Sequence, residues 1–221
     1  MIALIPLNVD VPMYRLPWAN VVLIAGIFVT SLYALAVGLD AVDPYILNGW
    51  EPSGLFGHMA LHAGAIHLMG NLIFLFAFGN AVCAKVGNAL NVPLFVAFGL
   101  AAAAVHNLLD GQRMIGASGA INGIVGMFLV LYPRNDMTCG WWFLIRVGTF
   151  SLSSYWMILL WLAFDLWGAA ASSGGDGGIA YFAHLGGFAC GFATAWLALR
   201  QGWIEMEDDE QSLPDLIAGG R

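Results

Sequence analysis

Six long apolar segments, separated by short polar ones, constrain the fold of this chain more than any other feature of its sequence. The first is long enough to cross roughly 30 Å of hydrocarbon at about 1.5 Å per residue. The chain is 60% hydrophobic and only 10% charged, which excludes an ordinary soluble domain. The sequence therefore predicts an all-α, polytopic membrane bundle of six transmembrane helices. The predicted spans are 18–39, 61–84, 92–109, 118–132, 154–171 and 179–199.

The segments outside these spans are polar or broken by proline and glycine. Residues 1–15 are a leader whose prolines prevent a stable helix, and 134–146 are a longer connection with tryptophans in its middle. Residues 201–221 are predicted to be an acidic, solvated cytoplasmic tail that follows a membrane domain of residues 1–200. The glycine-rich 174–178 loop could be a mobile cap over a site or only a connector.

Lysine and arginine predict the orientation of the chain in the membrane. If the amino terminus is cytoplasmic, six of the seven cations face the cytoplasm and only Arg113 faces outward. The six are Arg15, Lys85, Arg134, Arg146, Arg200 and Arg221. Both termini are therefore predicted to be cytoplasmic.

The composition also excludes two kinds of site. The lysines and arginines are scattered and form no basic patch, which argues against nucleic acid as a partner. The three cysteines are too widely spaced for a disulfide framework or a cysteine metal site.

Ser118 is the candidate nucleophile, in a glycine-flanked stretch at the outer end of the fourth span. Bare backbone around a serine lets a substrate carbonyl approach its hydroxyl, and a helix start offers unpaired N–H groups to a developing negative charge. The base would be His184, near the outer end of the sixth span. Both spans carry glycines four residues apart, and such faces let helices approach closely in lipid, although the spacing also serves plain packing. These glycines are Gly119, Gly123, Gly187 and Gly191.

The second span brings polar residues into an otherwise uncharged segment. His67 and Asn71 are four residues apart, on one helix face, and could donate hydrogen bonds to an oxyanion, although an interhelical hydrogen bond is the alternative for Asn71. His58 and His62 have the same spacing. No carboxylate or cysteine lies nearby in sequence, so we predict no metal and interpret both as hydrogen-bonded histidines that pack the first loop behind the site.

Three motifs in the same order give the chain a resemblance to a known family. They are His58-x3-His62-x4-His67-x3-Asn71, Gly116-Ala-Ser-Gly-Ala-Ile-x-Gly123 and Ala183-His184-x2-Gly187-x3-Gly191. With them the chain resembles the rhomboid family of intramembrane serine proteases. The resemblance implies that Ser118 is the nucleophile and His184 the general base, in a two-residue dyad. The implied oxyanion hole consists of Asn71, His67, the Ser118 amide and Gly116.

The same resemblance implies a setting and a substrate. The protein would lie in a bacterial plasma membrane, require no cofactor, and cleave transmembrane protein substrates near the outer surface of the bilayer. Many members of the family carry Trp-Arg just before the histidines of the second span, where this chain has Ser53 and Gly54, and Trp50 is a partial substitute as an interfacial anchor. This departure leaves open a catalytically silent rhomboid-like protein that binds client helices.

Asp165 is an acid within the fifth span, where an ionisable residue is costly unless it has a partner. It could orient His184 as a third catalytic residue, or it could bond to a neighbouring helix near the interface. The dyad that the resemblance implies favours the second interpretation. A small transporter or channel is a further alternative, disfavoured because the sequence offers no paired intramembrane charges, and the oligomeric state stays open.

Overall fold

A computed structural model describes residues 3–143, 146–171 and 179–219 of the chain. The predicted 174–178 cap and Arg221 lie outside these described residues. The helices are α1 Trp18–Val37, α2 Pro52–Gly57, α3 Ala65–Val86, α4 Asn88–Leu109, α5 Ser118–Leu131, α6 Ser154–Ala171, α7 Tyr181–Arg200 and α8 Leu213–Ile217. Two 3-10 turns cover Leu39–Tyr45 and His58–Ala60, and three strands are β1 Ala3–Val9, β2 Asp136–Phe143 and β3 Arg146–Ser153.

The predicted helical membrane bundle is confirmed as a class. Five helices of the described residues, α1, α3, α4, α6 and α7, have 18 to 22 residues and the hydropathy needed to cross a membrane. The fourth predicted span differs, because α5 has only 14 residues and is about 21 Å long, short of the roughly 30 Å of hydrocarbon. Proline at position 133 follows the cap residue Tyr132 and cannot continue the helix.

The short helix α5 lies at the centre of the bundle, in contact with α3, α4, α6 and α7. All of its residues are buried except Ser118 and Asn122, which are half-buried. Aromatic packing fixes its far end, where the rings of Phe78 and Phe128 meet edge to face with centroids 4.9 Å apart. The longer helices thus surround α5, and its first residue, Ser118, is half-buried among them.

An antiparallel sheet in the order β1-β2-β3 joins the leader to the connection between α5 and α6. The sequence reasoning did not predict it, because Pro6 and the other prolines of the leader were interpreted only as helix breakers. Proline is tolerated in an edge strand or at a bulge. Here β1 is an edge strand, and its register against β2 shifts between Pro6 and Asn8.

The segment after α7 packs against the end of the bundle where α3 and α5 terminate. Glu210 is buried there, forms an ion pair with Lys85 at the end of α3, and accepts a hydrogen bond from the Tyr132 hydroxyl at 3.1 Å. Tyr14, close before α1, donates to Asp209 at 3.0 Å. The expectation of a wholly solvated tail is therefore wrong for Glu210, because this acid has a buried cation to pair with.

Candidate active site

A cavity of about 650 Å³ lies between α3, α5, α6 and α7. Its walls carry five polar side chains that the sequence placed on four different helices. They are His67, Asn71, Ser118, Asp165 and His184. Apolar side chains, among them Phe74 and Trp161, form much of the rest of the wall, so a few polar groups line a largely apolar space.

Ser118 is the first residue of α5, and the loop before it requires glycine at position 116. Gly116 has a φ of +131°, and a Cβ atom there would stand 2.7 Å from Cε1 of His67. Its N–H donates to the carbonyl oxygen of His58 at 3.0 Å. Ala117 precedes the helix, and its methyl side chain cannot accept a capping hydrogen bond. The amino-terminal end of α5, which is the positive end of the helix dipole, therefore has no side-chain cap.

His58 and His62 do not share a helix face, which corrects the geometry assumed from their spacing. His58 lies in a 3-10 turn and His62 in the extended link before α3, because α3 begins only at Ala65. Within residues 3–143, 146–171 and 179–219, no group of three His, Cys, Asp or Glu side chains is arranged to hold a metal ion. Nδ1 of His58 lies 2.9 Å from the Gly54 carbonyl oxygen and donates to it.

His62 connects α1 to the loop that carries the serine. Its Nδ1 lies 2.9 Å from Ser31 Oγ, and its Nε2 lies 3.5 Å from the Ala117 N–H. Because a backbone N–H can only donate, Nε2 is the acceptor and the proton of the neutral ring is on Nδ1. The ring is buried, and burial lowers the pKa of His62 to about 4. Burial also lowers the pKa of His58, so both rings are expected to be neutral near pH 7.

His67 and Asn71 lie on the cavity side of α3. The His67 ring packs against Gly116 and meets the His62 ring edge-on, with centroids 5.0 Å apart. Asn71 Nδ2 donates to the His67 carbonyl oxygen at 2.9 Å within the same helix, so the interhelical bond considered for it is not the bond that forms. An amide nitrogen carries two hydrogens, and one such bond leaves the second N–H available to the cavity.

His184, on α7, has its partner on α6. Nδ1 of His184 lies 3.0 Å from Oδ1 of Asp165, and the side chains are only 14% and 16% exposed. Asp165 therefore does bond to a neighbouring helix, as its burial in a membrane span requires. The atom that it contacts belongs to His184 itself.

Glycines bring α5 and α7 into backbone contact. A Cβ atom on Gly187 would stand 1.9 Å from the Gly119 carbonyl oxygen, and one on Gly191 would stand 1.8 Å from that of Gly123. The Cα positions of Gly119 and Gly123 face α4 more closely than α7, since a Cβ on Gly123 would stand 2.4 Å from Cβ of Phe98. The four glycines thus join three helices rather than the two expected from their spacing.

Two further polar residues line the cavity that were not predicted from the sequence to be part of the site. Asn122 lies one turn after Ser118, and its Nδ2 donates to the Ser118 carbonyl oxygen at 3.0 Å. The four-residue spacing from Ser118 is the signal that could have found it. Arg113 lines the cavity and forms an ion pair with Asp43 in the first loop, a contact between distant residues that no local pattern indicates.

The first loop is anchored to the serine loop although it lacks Trp-Arg. Leu47 and Met114 exchange two backbone hydrogen bonds, of 2.9 and 3.1 Å. Asn107 Nδ2 donates to the Gly49 carbonyl oxygen at 2.6 Å. Gly54 itself packs so closely that a Cβ would stand 2.7 Å from the Ile46 carbonyl oxygen. A small residue is therefore required where the pattern of the family has a large one.

These features define an integral membrane protein, a helical bundle with a cavity whose wall carries a serine, two histidines and an acid. Residues 49–201 match the family model of the rhomboid domain, which is more than half of the chain. The chain belongs to the rhomboid family.

Similar proteins occur in bacteria and plants. Rhomboid protease GlpG of Klebsiella pneumoniae is 27% identical over 147 residues, which cover 66% of this chain and 49% of that protein. RHOMBOID-like protein 6, mitochondrial, of Arabidopsis thaliana is 28% identical over 180 residues, covering 78% of this chain and 53% of that protein. RHOMBOID-like protein 5 of the same plant is 28% identical over 164 residues, 73% of this chain and 48% of that protein. The chain thus spans about half the length of these curated relatives.

Proposed function

We propose that this protein is an intramembrane serine endopeptidase that cleaves transmembrane helices near the outer membrane face. The observation that carries the proposal is the cavity that holds both Ser118 and His184, on two helices in backbone contact through their glycines. A serine hydroxyl is a weak nucleophile without a base, and histidine is the side chain suited to that task near neutral pH. GlpG of Klebsiella pneumoniae, a relative that bears the name protease, supports the same activity.

In this mechanism Ser118 Oγ attacks the scissile carbonyl carbon while His184 Nε2 takes the hydroxyl proton. The C–O bond forms as the carbonyl electron pair moves onto oxygen. The resulting tetrahedral oxyanion then collapses, the C–N bond breaks, and His184 returns the proton to the departing amine. Water that enters from the outer side repeats the sequence on the acyl-enzyme and frees Ser118.

The oxyanion would be held by donors at the start of α5 and on α3. The Ser118 amide lies at the positive end of α5, and Asn71 and His67 line the same cavity. Removing one such donor costs about 3 kcal/mol in comparable sites. Gly116 would contribute by its lack of a side chain, because a Cβ there would collide with the His67 ring and push it from the site.

The substrate and the orientation belong to the same proposal. Because α5 is shorter than its neighbours and Ser118 at its start is half-buried on the cavity wall, Ser118 would meet a substrate helix below the membrane surface. Both termini would be cytoplasmic, in a bacterial inner membrane, with residues 201–221 following the membrane domain of 1–200. The ion pair of Lys85 with Glu210 and the Tyr14–Asp209 bond support this, since they hold the two termini at one end of the bundle.

The test is cleavage of a model transmembrane substrate by reconstituted protein. Ser118→Ala and His184→Ala are each expected to abolish cleavage, while Ser53→Ala, which removes an exposed hydroxyl in α2, should cleave like the wild type. A fluorophosphonate probe should label the wild type and neither of the first two variants. Retained cleavage by Ser118→Ala would refute the proposal, and a wild type that neither cleaves nor labels would favour the silent client-binding protein.

A further inference from the structure

We propose that Asp165 is a positioning residue for catalysis, which completes a Ser118–His184–Asp165 arrangement in the cavity. This inference rests on the proposed protease function and goes beyond a two-residue mechanism. Asp165 would hold His184 with the Nδ1 proton directed at the Asp165 carboxylate. The Nε2 atom of His184 then carries the lone pair that accepts the proton of Ser118.

The contact is specific to these two side chains. The Nδ1 to Oδ1 distance of 3.0 Å is that of a hydrogen bond, and both side chains are largely buried on the cavity wall. Asp165 is 19 residues before His184 and on another helix, so their contact does not follow from helical spacing. An ionisable side chain in a membrane-length helix is costly to retain, which is typical of a functional group with a specific partner.

The other ionisable groups around His184 do not offer an alternative to Asp165. From α3, His67 faces the cavity, and Arg113 approaches from the loop before α5 but forms its ion pair with Asp43. The helix α5 carries no ionisable side chain. On α4, His106 lies near Asp110 and bonds the Gln112 carbonyl oxygen. Of the acids in the described residues, Asp165 is the one that lines the cavity.

The bond has a chemical consequence at each proton transfer. Neutral imidazole has one N–H, and a carboxylate can only accept, so the bond to Asp165 fixes that N–H on Nδ1. When Ser118 Oγ bonds to the carbonyl carbon, its proton moves to Nε2 and the imidazolium forms beside a negative charge. Asp165 keeps its charge throughout, and the proton on Nε2 leaves with the amine.

A purely structural role would be to tie α6 to α7, and Asp165→Asn separates the two roles. Asparagine has nearly the same shape and can still bond the ring, but its amide can donate to Nδ1 and so favour the tautomer with the proton on Nε2. We expect kcat to fall roughly 10²- to 10⁴-fold while KM stays within about threefold. The thermal midpoint should not change. Asp165→Glu, which restores a carboxylate, should recover part of kcat.

The experiment measures kcat and KM on a model transmembrane substrate in proteoliposomes, together with thermal unfolding. Asp40→Asn, which neutralises an exposed acid in the first loop, is the matched control and should behave like the wild type. Wild-type kcat in Asp165→Asn would overturn the inference, as would equal losses of kcat in the Asn and Glu variants. If Ser118→Ala is inactive while Asp165→Asn is fully active, only the role of Asp165 fails and the protease proposal stands.

Discussion

Gly187→Ala tests whether backbone contact between α5 and α7 sets the geometry of the site. The new methyl group would stand 1.9 Å from the Gly119 carbonyl oxygen, where Cβ atoms essentially never come within 3.0 Å of another heavy atom. A backbone oxygen cannot rotate away as a side chain can. The two helices would therefore have to separate by about 1 Å, since a packed interior offers no free space to absorb the methyl group.

This separation has two measurable effects. Overpacking of a close contact costs about 1–3 kcal/mol of unfolding free energy, partly offset by up to about 1 kcal/mol from the better helix propensity of alanine. The larger effect is on catalysis, because Ser118 is on α5 and His184 on α7, one turn from the substitution. A misplacement of about 1 Å between reacting groups lowers the rate roughly 100-fold.

The assay is turnover of a model transmembrane substrate in proteoliposomes, with the thermal midpoint measured on the same preparation. Gly26→Ala on α1 is the matched control, because no described atom lies within 4 Å of the position of its Cβ. It gains helix propensity without a clash and should keep wild-type turnover. Wild-type kcat with an unchanged midpoint in Gly187→Ala would refute the close contact. A lower midpoint with unchanged kcat would refute its link to the catalytic geometry.

Two further predictions concern the rest of the bundle. Glu210→Gln should lower the unfolding free energy by about 3–5 kcal/mol, because it leaves Lys85 buried without its counter-charge. Glu205→Gln, which neutralises an exposed acid, is the control and should leave the thermal midpoint unchanged. Equal midpoints of the two variants would contradict the buried pair. His62 should make the protein less stable as the pH falls from about 6.5 to about 4, because the unfolded chain binds a proton to His62 near pH 6.5 and the folded one only near pH 4. Over this pH range the thermal midpoint of His62→Gln should fall less than that of the wild type. An identical pH dependence of the two midpoints would contradict the role of His62 in this loss of stability.

The membrane bundle and the candidate residues of the site could be predicted from local pattern. A long apolar segment predicts a membrane-spanning helix, and a spacing of four residues places two side chains on one face of a helix. Both patterns are local, so they can be recognised in the sequence alone. The glycines of α5 and α7 were found in this way, and those of α7 do contact the backbone of α5, whereas the Cβ positions of Gly119 and Gly123 lie nearest to α4.

What the sequence could not provide depends on distant pairs. The sheet requires β1 to meet β2, which begins at Asp136, far along the chain, and proline at an edge is tolerated only once the edge is known. Glu210 is buried only because Lys85 lies at the same end of the bundle. Similarly, the partner of Asp165 could not be chosen between His184 and another helix until α6 and α7 were placed side by side.

The burial of α5 explains why the polar groups of the site come from its neighbours. Within this helix, which the structure describes in full, only Ser118 and Asn122 are not buried, and both face the cavity one turn apart. A helix so enclosed by glycine and aromatic contacts has no room for a base or an acid of its own. His184 and Asp165 must then be supplied by α7 and α6, whose outer faces lipid can solvate. The proposed chemistry therefore depends on helix packing, which is why substitution of a glycine is expected to affect the reaction as strongly as substitution of an acid.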